Sequence, residues 1–274
     1  ADGAKEMFSD SFDYKKEYFS QVRTEEYPLQ IAENMYVSPA FPKRMLEMIA
    51  SDKVPLRDRR YRYSCLNFVL LKEMVEKISG MPMDEYLEKE FYVPMGMKST
   101  LYNPLRKYQL EQIVPTIQKD YLRNRKELRG YVHDEIAAFM GGVSGNAGLF
   151  SNARDVAKVY QMLVDGGQYE GKRYLSLETC QLFMNKKSRI SRRALGFDRP
   201  DPQPDKGPCA DEAPKEVVGH TGFTGTCAWA DPKNGLVFVF ISNRIYPRPF
   251  DHKGLMTLKI RPRIQQLMYQ ALKK

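Results

Sequence analysis

The strongest constraint on the fold is a pair of strand-like runs near the C-terminus that face each other across a short turn. The runs cover residues 224–230 and 236–242, and the linker 231–235 (DPKNG) has hairpin-turn chemistry. The second run contains the β-branched and aromatic stretch VFVFI (237–241), which is too short for a buried helix. The pattern therefore predicts an antiparallel β-hairpin.

Helical periodicity occurs on both sides of this hairpin. Apolar residues follow Tyr63 at helical spacing until Gly80, and Ser151 and Ser176 are placed to cap two further helices. Pro262 opens a last amphipathic helix, whose predicted sheet-facing residues are Ile264, Leu267, Met268, Ala271 and Leu272. We therefore predict an α+β fold, a mixed α/β arrangement in which helices flank an antiparallel sheet.

The 274 residues suit one large domain or two small ones, and we predict a single domain over 1–274. Within it we expect an irregular arm over 1–40, a mainly helical region over 41–198, and the sheet hairpin with the C-terminal helix over 216–274. Five prolines between 199 and 215 predict an exposed loop there.

The chain carries a formal net charge of +9, which by itself fits nucleic acid, an anionic envelope or a polyanionic substrate. The densest basic run lies between residues 186 and 193 and lacks interleaved aromatic residues. We interpret it as a solvated loop or helix end and predict no nucleic-acid partner. No apolar stretch reaches the length of a membrane span, so we predict none.

The four cysteines form no C-x-x-C pair and have no zinc-like spacing to His133, His220 or His252. We therefore predict no metal site and no cofactor. Cys209 and Cys227 are close enough in sequence for a disulfide in an oxidising compartment, but we favour separate buried or free thiols.

Four short motifs follow one another between residues 61 and 246. They are YSC at 63–65, ISGMP at 78–82 with PMGM at 94–97, GNAGLFSNA at 145–153, and GHTGFTG at 219–225. Their order resembles the β-lactamase and penicillin-binding-protein superfamily of serine hydrolases, especially its class C, DD-peptidase and esterase branches. With VHDE at 132–135, the motifs most resemble the serine-hydrolase domain fused to family 3 β-N-acetylglucosaminidases of Bacteroides-type bacteria.

The resemblance implies a serine nucleophile in a Ser-x-x-Lys motif, where one helical turn places the amine beside the hydroxyl. No serine of this chain has lysine three positions later. We therefore expect that the N-terminal part of the domain, including the nucleophile helix, is missing and lies upstream in a longer polypeptide. An exposed apolar groove on the sheet would follow, because the missing elements would cover it.

The resemblance also assigns roles at the first motif and the glycine-rich turn. Tyr63 corresponds to the family's proton relay, although an aromatic residue at a helix start is commonly only packed there. Cys65 stands where the family has Asn or Asp, so it lacks the amide-like groups that would orient a substrate. Asn146 stands where relatives often have histidine and borders the site, or serves a tight turn. His133, Asp134 and Glu135 are interpreted as a structural hydrogen-bond cluster.

The last motif supplies the remaining predicted site residues. His220 stands in the place of the family's lysine, where either of its charge states donates a hydrogen bond to a substrate carboxylate or to Tyr63. Thr221 lines the same strand and Gly222 permits close backbone approach. The N–H of Phe223 corresponds to one half of the oxyanion hole, and the absent serine would supply the other half.

Three functions remain open from the sequence. The first is acyl transfer on cell-wall peptide or on ester and amide substrates, in a periplasmic or cell-envelope setting with a β-N-acetylglucosaminidase upstream. The second is a non-catalytic muropeptide-binding or accessory domain, in which the departures at Cys65 and His220 are tolerated. The third uses Cys65 as the nucleophile, since a helix N-terminus lowers a thiol pKa.

Overall fold

The computed structural model describes residues 17–51, 61–186, 188–247 and 253–273. These residues form two compact units, the first drawn from 1–88 and 101–150 and the second from 89–100 and 151–274. The first sixteen residues of the predicted arm, Lys187 of the basic run and His252 lie outside the described residues. The single domain over 1–274 stays a prediction.

The first unit opens with a three-stranded antiparallel sheet in the order β1-β3-β2. Its strands are β1 (Phe19–Ser20), β2 (Leu29–Ala32) and β3 (Met35–Val37). The predicted irregular arm over 1–40 is therefore wrong for its described part. Strands of two to four residues are too short to display the alternation that would reveal them.

The helices of the first unit pack on this sheet through aromatic side chains. Phe41 and Phe139 meet edge to face, with ring centroids 5.0 Å apart, and Met45 and Val69 join the same buried cluster. The helices of this unit are α1 (Ala40–Ser51), α2 (Leu66–Ser79), α3 (Met83–Leu87) and α4 (Glu135–Phe139). A π-helical turn (Glu88–Tyr92) follows α3 in the chain, and its residues from 89 onward belong to the second unit.

Two strand pairs and two short 3₁₀ helices complete the first unit, so the region predicted as mainly helical over 41–198 also contains strands. These elements are β4 (Leu101–Tyr102) with β7 (Leu149–Phe150), β5 (Pro115–Asp120) with β6 (Arg125–Arg129), and the 3₁₀ helices Pro104–Arg106 and Leu110–Gln112. The β5–β6 hairpin is rich in charge, so it lacks an apolar alternation. It is closed instead by Arg123, which pairs with Asp120 and donates to the Val132 carbonyl at 2.8 Å.

The second unit is built on an antiparallel sheet in the order β10-β11-β12, which confirms the predicted hairpin. Its strands are β10 (Val218–Thr221), β11 (Cys227–Asp231) and β12 (Leu236–Phe240). The Asp231 carboxylate accepts the backbone N–H groups of Lys233 at 3.0 Å and Asn234 at 3.1 Å, which fixes the turn. All five residues of β11 are buried, so both faces of the sheet are covered.

Helices flank this sheet as predicted. They are α5 (Ala153–Val164), α6 (Leu177–Asn185), α7 (Gly254–Thr257) and α8 (Ile260–Leu272). Helix α5 packs against β11 and β12. A short strand pair, β8 (Gln168–Tyr169) with β9 (Lys172–Arg173), lies between α5 and α6 in the sequence. Ser176 caps α6 as predicted, whereas α5 is capped by Asn152 instead of Ser151. In the described part of the chain, no helix is long and apolar enough to cross a membrane.

Helix α8 turns a different face to the protein from the one predicted. Its buried residues are Arg261, Gln265 and Tyr269, while Leu267 is 64% and Leu272 is 58% exposed. Two residues of this polar face have partners inside the protein: Tyr269 donates to Asp231 at 2.9 Å, and Gln265 accepts from the Ala210 N–H at 2.9 Å.

The proline-rich segment 199–215 contains no helix or strand, but it is not wholly exposed. Cys209, Ala210 and Ala213 are buried with Cys227 and Trp229 in one cluster. Cys209 and Cys227 are free thiols, as are Cys65 and Cys180, which confirms the preference for separate thiols.

We expect Gly80→Ala to lower the free energy of unfolding by about 1 kcal/mol. Gly80 ends α2 with φ of 68°, and a Cβ there would meet nothing within 4 Å, so the cost is conformational rather than steric. Gly254→Ala is the matched control, because Gly254 is equally open but has no positive φ. Urea titration followed by circular dichroism compares the two variants, and equal effects would contradict the conformational explanation.

Candidate active site

The predicted site residues divide between the two units. The first unit holds Tyr63, Cys65 and Asn146, and the second holds His220, Thr221, Gly222 and Phe223. Each group is brought together locally, and their joint participation in one active site stays a prediction. Within the described ranges, no three His, Cys, Asp or Glu side chains are grouped as metal ligands would be.

The first motif lies at the start of α2, as predicted. Cys65 is the N-cap residue, and its carbonyl accepts the N–H groups of Phe68 at 3.0 Å and Val69 at 3.3 Å. Tyr63 precedes the helix and is 60% exposed, so its phenol is not a packed core group. The side chains of Tyr63 and Asn146 lie near enough to the Cys65 thiol to lower its pKa, which places the three predicted residues of this unit together.

Asn146 is fixed by a chain of side-chain hydrogen bonds. Its Oδ1 accepts from the Ser144 hydroxyl at 2.7 Å, and its Nδ2 donates to the Asp134 carboxylate at 3.0 Å. The same Asp134 oxygen accepts the Ala137 N–H at 2.9 Å and caps α4. The structural interpretation of Asp134 is therefore confirmed, and the amide of Asn146 links the glycine-rich turn to both α4 and Cys65.

The glycine-rich turn approaches α2 closely because position 145 has no side chain. A Cβ on Gly145 would lie 2.1 Å from the Phe68 carbonyl oxygen, inside the first turn of α2. Ser144 is buried at 1% exposure, and its carbonyl accepts from the Tyr102 hydroxyl at 3.3 Å. A buried hydroxyl of this kind is poorly placed to attack a substrate, which weighs against Ser144 as a nucleophile.

The environment of Cys65 opposes ionisation of its thiol. Burial raises the pKa of Cys65, the nearby Asp134 carboxylate raises it further, and the hydrogen bonds from Asn146 and Tyr63 lower it by less. The sequence led us to consider a helix N-terminus that lowers this pKa. The net shift is in the opposite direction, which weighs against Cys65 as the nucleophile.

In the second unit, the motif forms the end of β10 and the turn after it. His220 lies opposite Ala228, and Thr221 lies opposite Cys227. The Gly222 N–H donates to the Thr226 carbonyl at 2.8 Å, and the Gly225 N–H donates to the Gly222 carbonyl at 3.0 Å. These bonds close a tight turn in which Phe223 is the residue after Gly222.

Arg244 holds this turn from outside. Its Nε donates to the Phe223 carbonyl at 2.7 Å, and its guanidinium lies over the Phe223 ring at 4.7 Å from the centroid. The Arg244 N–H donates to the Thr224 carbonyl at 2.8 Å. The backbone that carries the predicted oxyanion donor is therefore bound through both backbone and side-chain contacts.

His220 contacts Arg193, a residue of the basic run that we interpreted as solvated. Its Nδ1 lies 2.7 Å from the Thr221 carbonyl, and its Nε2 lies 2.9 Å from a guanidinium nitrogen of Arg193. Arg192 and Arg193 both pair with Asp198, so these two residues are not the solvated charges that we expected. The signal that was missed is the buried Asp198, a carboxylate that lies shortly after the basic run in the sequence.

Comparison with known proteins identifies the family of this chain. Residues 20–259 match the sequence model of the family described as Beta-lactamase. Because the match covers most of the chain, the chain belongs to the beta-lactamase family, whose fold is that of the penicillin-binding proteins and related serine hydrolases.

Two curated relatives have similar sequences. A protein of Escherichia coli strain K12 named "Putative D-alanyl-D-alanine carboxypeptidase" is 35% identical over 73% of this chain and 49% of its own length. The N-acetylmuramyl-L-alanine amidase of Bacillus subtilis strain 168 is 35% identical over 70% of this chain and 47% of its own. The chain thus spans about half the length of the curated relatives it matches.

A solved structure supports the fold independently. The octameric penicillin-binding protein homologue from Pyrococcus abyssi superposes with a TM-score of 0.54 at 19% identity, over 82% of this chain and 49% of that one. At this identity the likeness concerns the fold alone, and it agrees with the mixed α/β class predicted from the sequence.

We expect Asp134→Asn to accelerate alkylation of Cys65 by iodoacetamide about threefold or more near pH 8, because removing the carboxylate charge lowers the thiol pKa and raises the thiolate fraction. Asparagine still accepts a hydrogen bond at the α4 N-cap, so the helix is kept. The rate is measured by mass spectrometry of the peptide that contains Cys65. Glu88→Gln removes an exposed charge elsewhere and should leave the alkylation rate unchanged. Equal rates in the wild type and both variants would refute the role of Asp134.

Proposed function

We propose that this chain is the C-terminal part of a β-lactamase-like serine hydrolase that transfers acyl groups from cell-wall peptides or related esters and amides. The observation that carries the proposal is the turn after β10, where Gly222, Phe223 and Gly225 are held in a fixed geometry at the end of a strand. A rigid backbone N–H at such a turn is suited to stabilise the negative charge of a tetrahedral intermediate.

The roles follow from the positions in each unit. The exposed Tyr63 phenol beside α2 would relay a proton between nucleophile and leaving group, and the N–H of Phe223 would bind the developing oxyanion. Thr221 would line the substrate beside Gly222. Asn146, which binds Asp134 and Ser144, would hold Cys65 at the substrate edge.

The nucleophile belongs, in this proposal, to a Ser-x-x-Lys motif upstream in a longer polypeptide. Two observations support this: no serine in the sequence has lysine three positions later, and Ser144 and Cys65 are unsuited to attack. The names of the relatives from E. coli and B. subtilis support a cell-wall substrate and a periplasmic or envelope setting. We also propose a β-N-acetylglucosaminidase domain upstream, on the sequence motifs alone.

A non-catalytic muropeptide-binding or accessory domain is the second candidate. The observation that favours it is Cys65 itself, since a thiol, which is only a weak hydrogen-bond donor and acceptor, stands where the family has Asn or Asp to orient a substrate amide. In this case the two units would bind a muropeptide without hydrolysing it.

The first experiment compares labelling by a fluorescent penicillin and a fluorophosphonate in two proteins. One is this chain, and the other is the longer polypeptide with its Ser-x-x-Lys serine intact or changed to alanine. We expect label only in the intact longer polypeptide, because only it presents an activated nucleophile. Label in the isolated chain would overturn the proposal and direct attention to Ser64, Ser144 and Cys65, while label in neither protein would favour the accessory domain.

In the longer polypeptide, we expect Tyr63→Phe to slow acylation by roughly 100-fold or more, the usual scale for removal of a general acid–base group. Tyr61→Phe is the matched control, since Tyr61 is a partly exposed tyrosine in the same segment, and it should acylate at the normal rate. Stopped-flow labelling measures both rates. Similar rates in the two variants would remove Tyr63 from the proton relay.

A further inference from the structure

The contacts of the His220 ring determine where its proton lies. Nδ1 is 2.7 Å from the Thr221 carbonyl oxygen, and a carbonyl only accepts, so Nδ1 carries a hydrogen. Nε2 is 2.9 Å from Nη1 of Arg193, and a guanidinium only donates and does not lose its proton in proteins. Nε2 must therefore offer its lone pair.

These two contacts exclude the other protonation states in this geometry. A proton on Nε2 would set two N–H groups against each other across 2.9 Å, in the Nε2–H tautomer and in the imidazolium alike. The ring is consequently the neutral Nδ1–H tautomer. The expectation that either charge state of His220 donates to a substrate carboxylate or to Tyr63 does not fit this arrangement, because the single ring N–H is already used by Thr221.

Arg193 is held by Asp198, which in turn is bound to β10, the strand that contains His220. Its Nη2 lies 3.3 Å from the Asp198 carboxylate, which also binds Arg192 through two contacts of 2.7 and 2.9 Å. The side chain of Asp198 is only 4% exposed. Its backbone exchanges hydrogen bonds of 2.7 and 3.1 Å with Gly219, the residue before His220. The guanidinium therefore cannot move away from the ring without disturbing a buried carboxylate.

We propose that Arg193 is a positioning residue that holds His220 as the neutral Nδ1–H tautomer, so that the positive charge beside the end of β10 resides on Arg193 and not on the histidine. The tautomer stands on the geometry of the second unit alone. Its meaning for acyl transfer rests on the proposed function: the charge that the family places on its strand lysine is carried here by a neighbouring arginine.

The test is a ring-nitrogen correlation spectrum of this chain labelled with ¹⁵N-histidine, recorded at pH 7 without substrate. The chain has three histidines, and His220→Gln assigns the signals of interest. We expect a protonated Nδ1 and an unprotonated Nε2 in the wild type. Arg193→Met, which removes the donor, should let Nε2 take up a proton as the pH is lowered to about 5, while Nδ1 keeps its hydrogen bond to Thr221, whereas Arg193→Lys retains a donor and should keep the wild-type pattern.

Arg189→Met is the matched control, because Arg189 is an exposed arginine of the same segment, and it should not alter the His220 signals. A wild-type ring that is protonated at Nε2 would overturn the proposal, whatever the variants do. An Nε2 that stays unprotonated in Arg193→Met when the pH is lowered to about 5 would overturn it as well. Because the spectrum needs no nucleophile or substrate, its outcome is separate from that of the labelling experiment.

Discussion

The second unit depends on the complete burial of its central strand. Every residue of β11 is buried, and the strand pairs with β10 on one side and β12 on the other. A Cβ at Gly219 would lie 2.1 Å from the Ala228 carbonyl oxygen and 2.6 Å from the Trp229 ring, so β10 packs here only because position 219 lacks a side chain. This close packing sets His220 opposite Ala228 and determines where the following turn begins.

The sequence predicted those parts of the fold that local chemistry specifies. The β11–β12 hairpin was evident because turn residues separate two strand-like runs, the second rich in β-branched and aromatic residues, and α2 ended at Gly80 as expected for a left-handed C-cap. The buried face of α8 was assigned wrongly, because the rule that apolar residues face inward fails where Gln265 and Tyr269 find hydrogen-bond partners far away in sequence. The short strands before α1 carried no periodic signal.

The candidate site was predicted as a set of residues but not as a set of contacts. The order of the motifs indicated Tyr63 and His220, since that order can be seen in the sequence without a structure. The pairings that hold such residues in place, Asp134 with Asn146 and Asp198 with Arg193, were not indicated. Each is a single carboxylate that becomes informative only when folding brings its partner near, and the same is true of Arg244 beside Phe223.

The burial of the two cysteines in the cluster around Trp229 affects how readily they are oxidised. Burial raises the pKa of Cys209 to about 12 and that of Cys227 to about 11. At neutral pH fewer than about one thiol in 1,000 would then be ionised, and the thiolate is the form that oxidants and disulfides attack. Burial of these two thiols therefore slows any oxidation that proceeds through the thiolate.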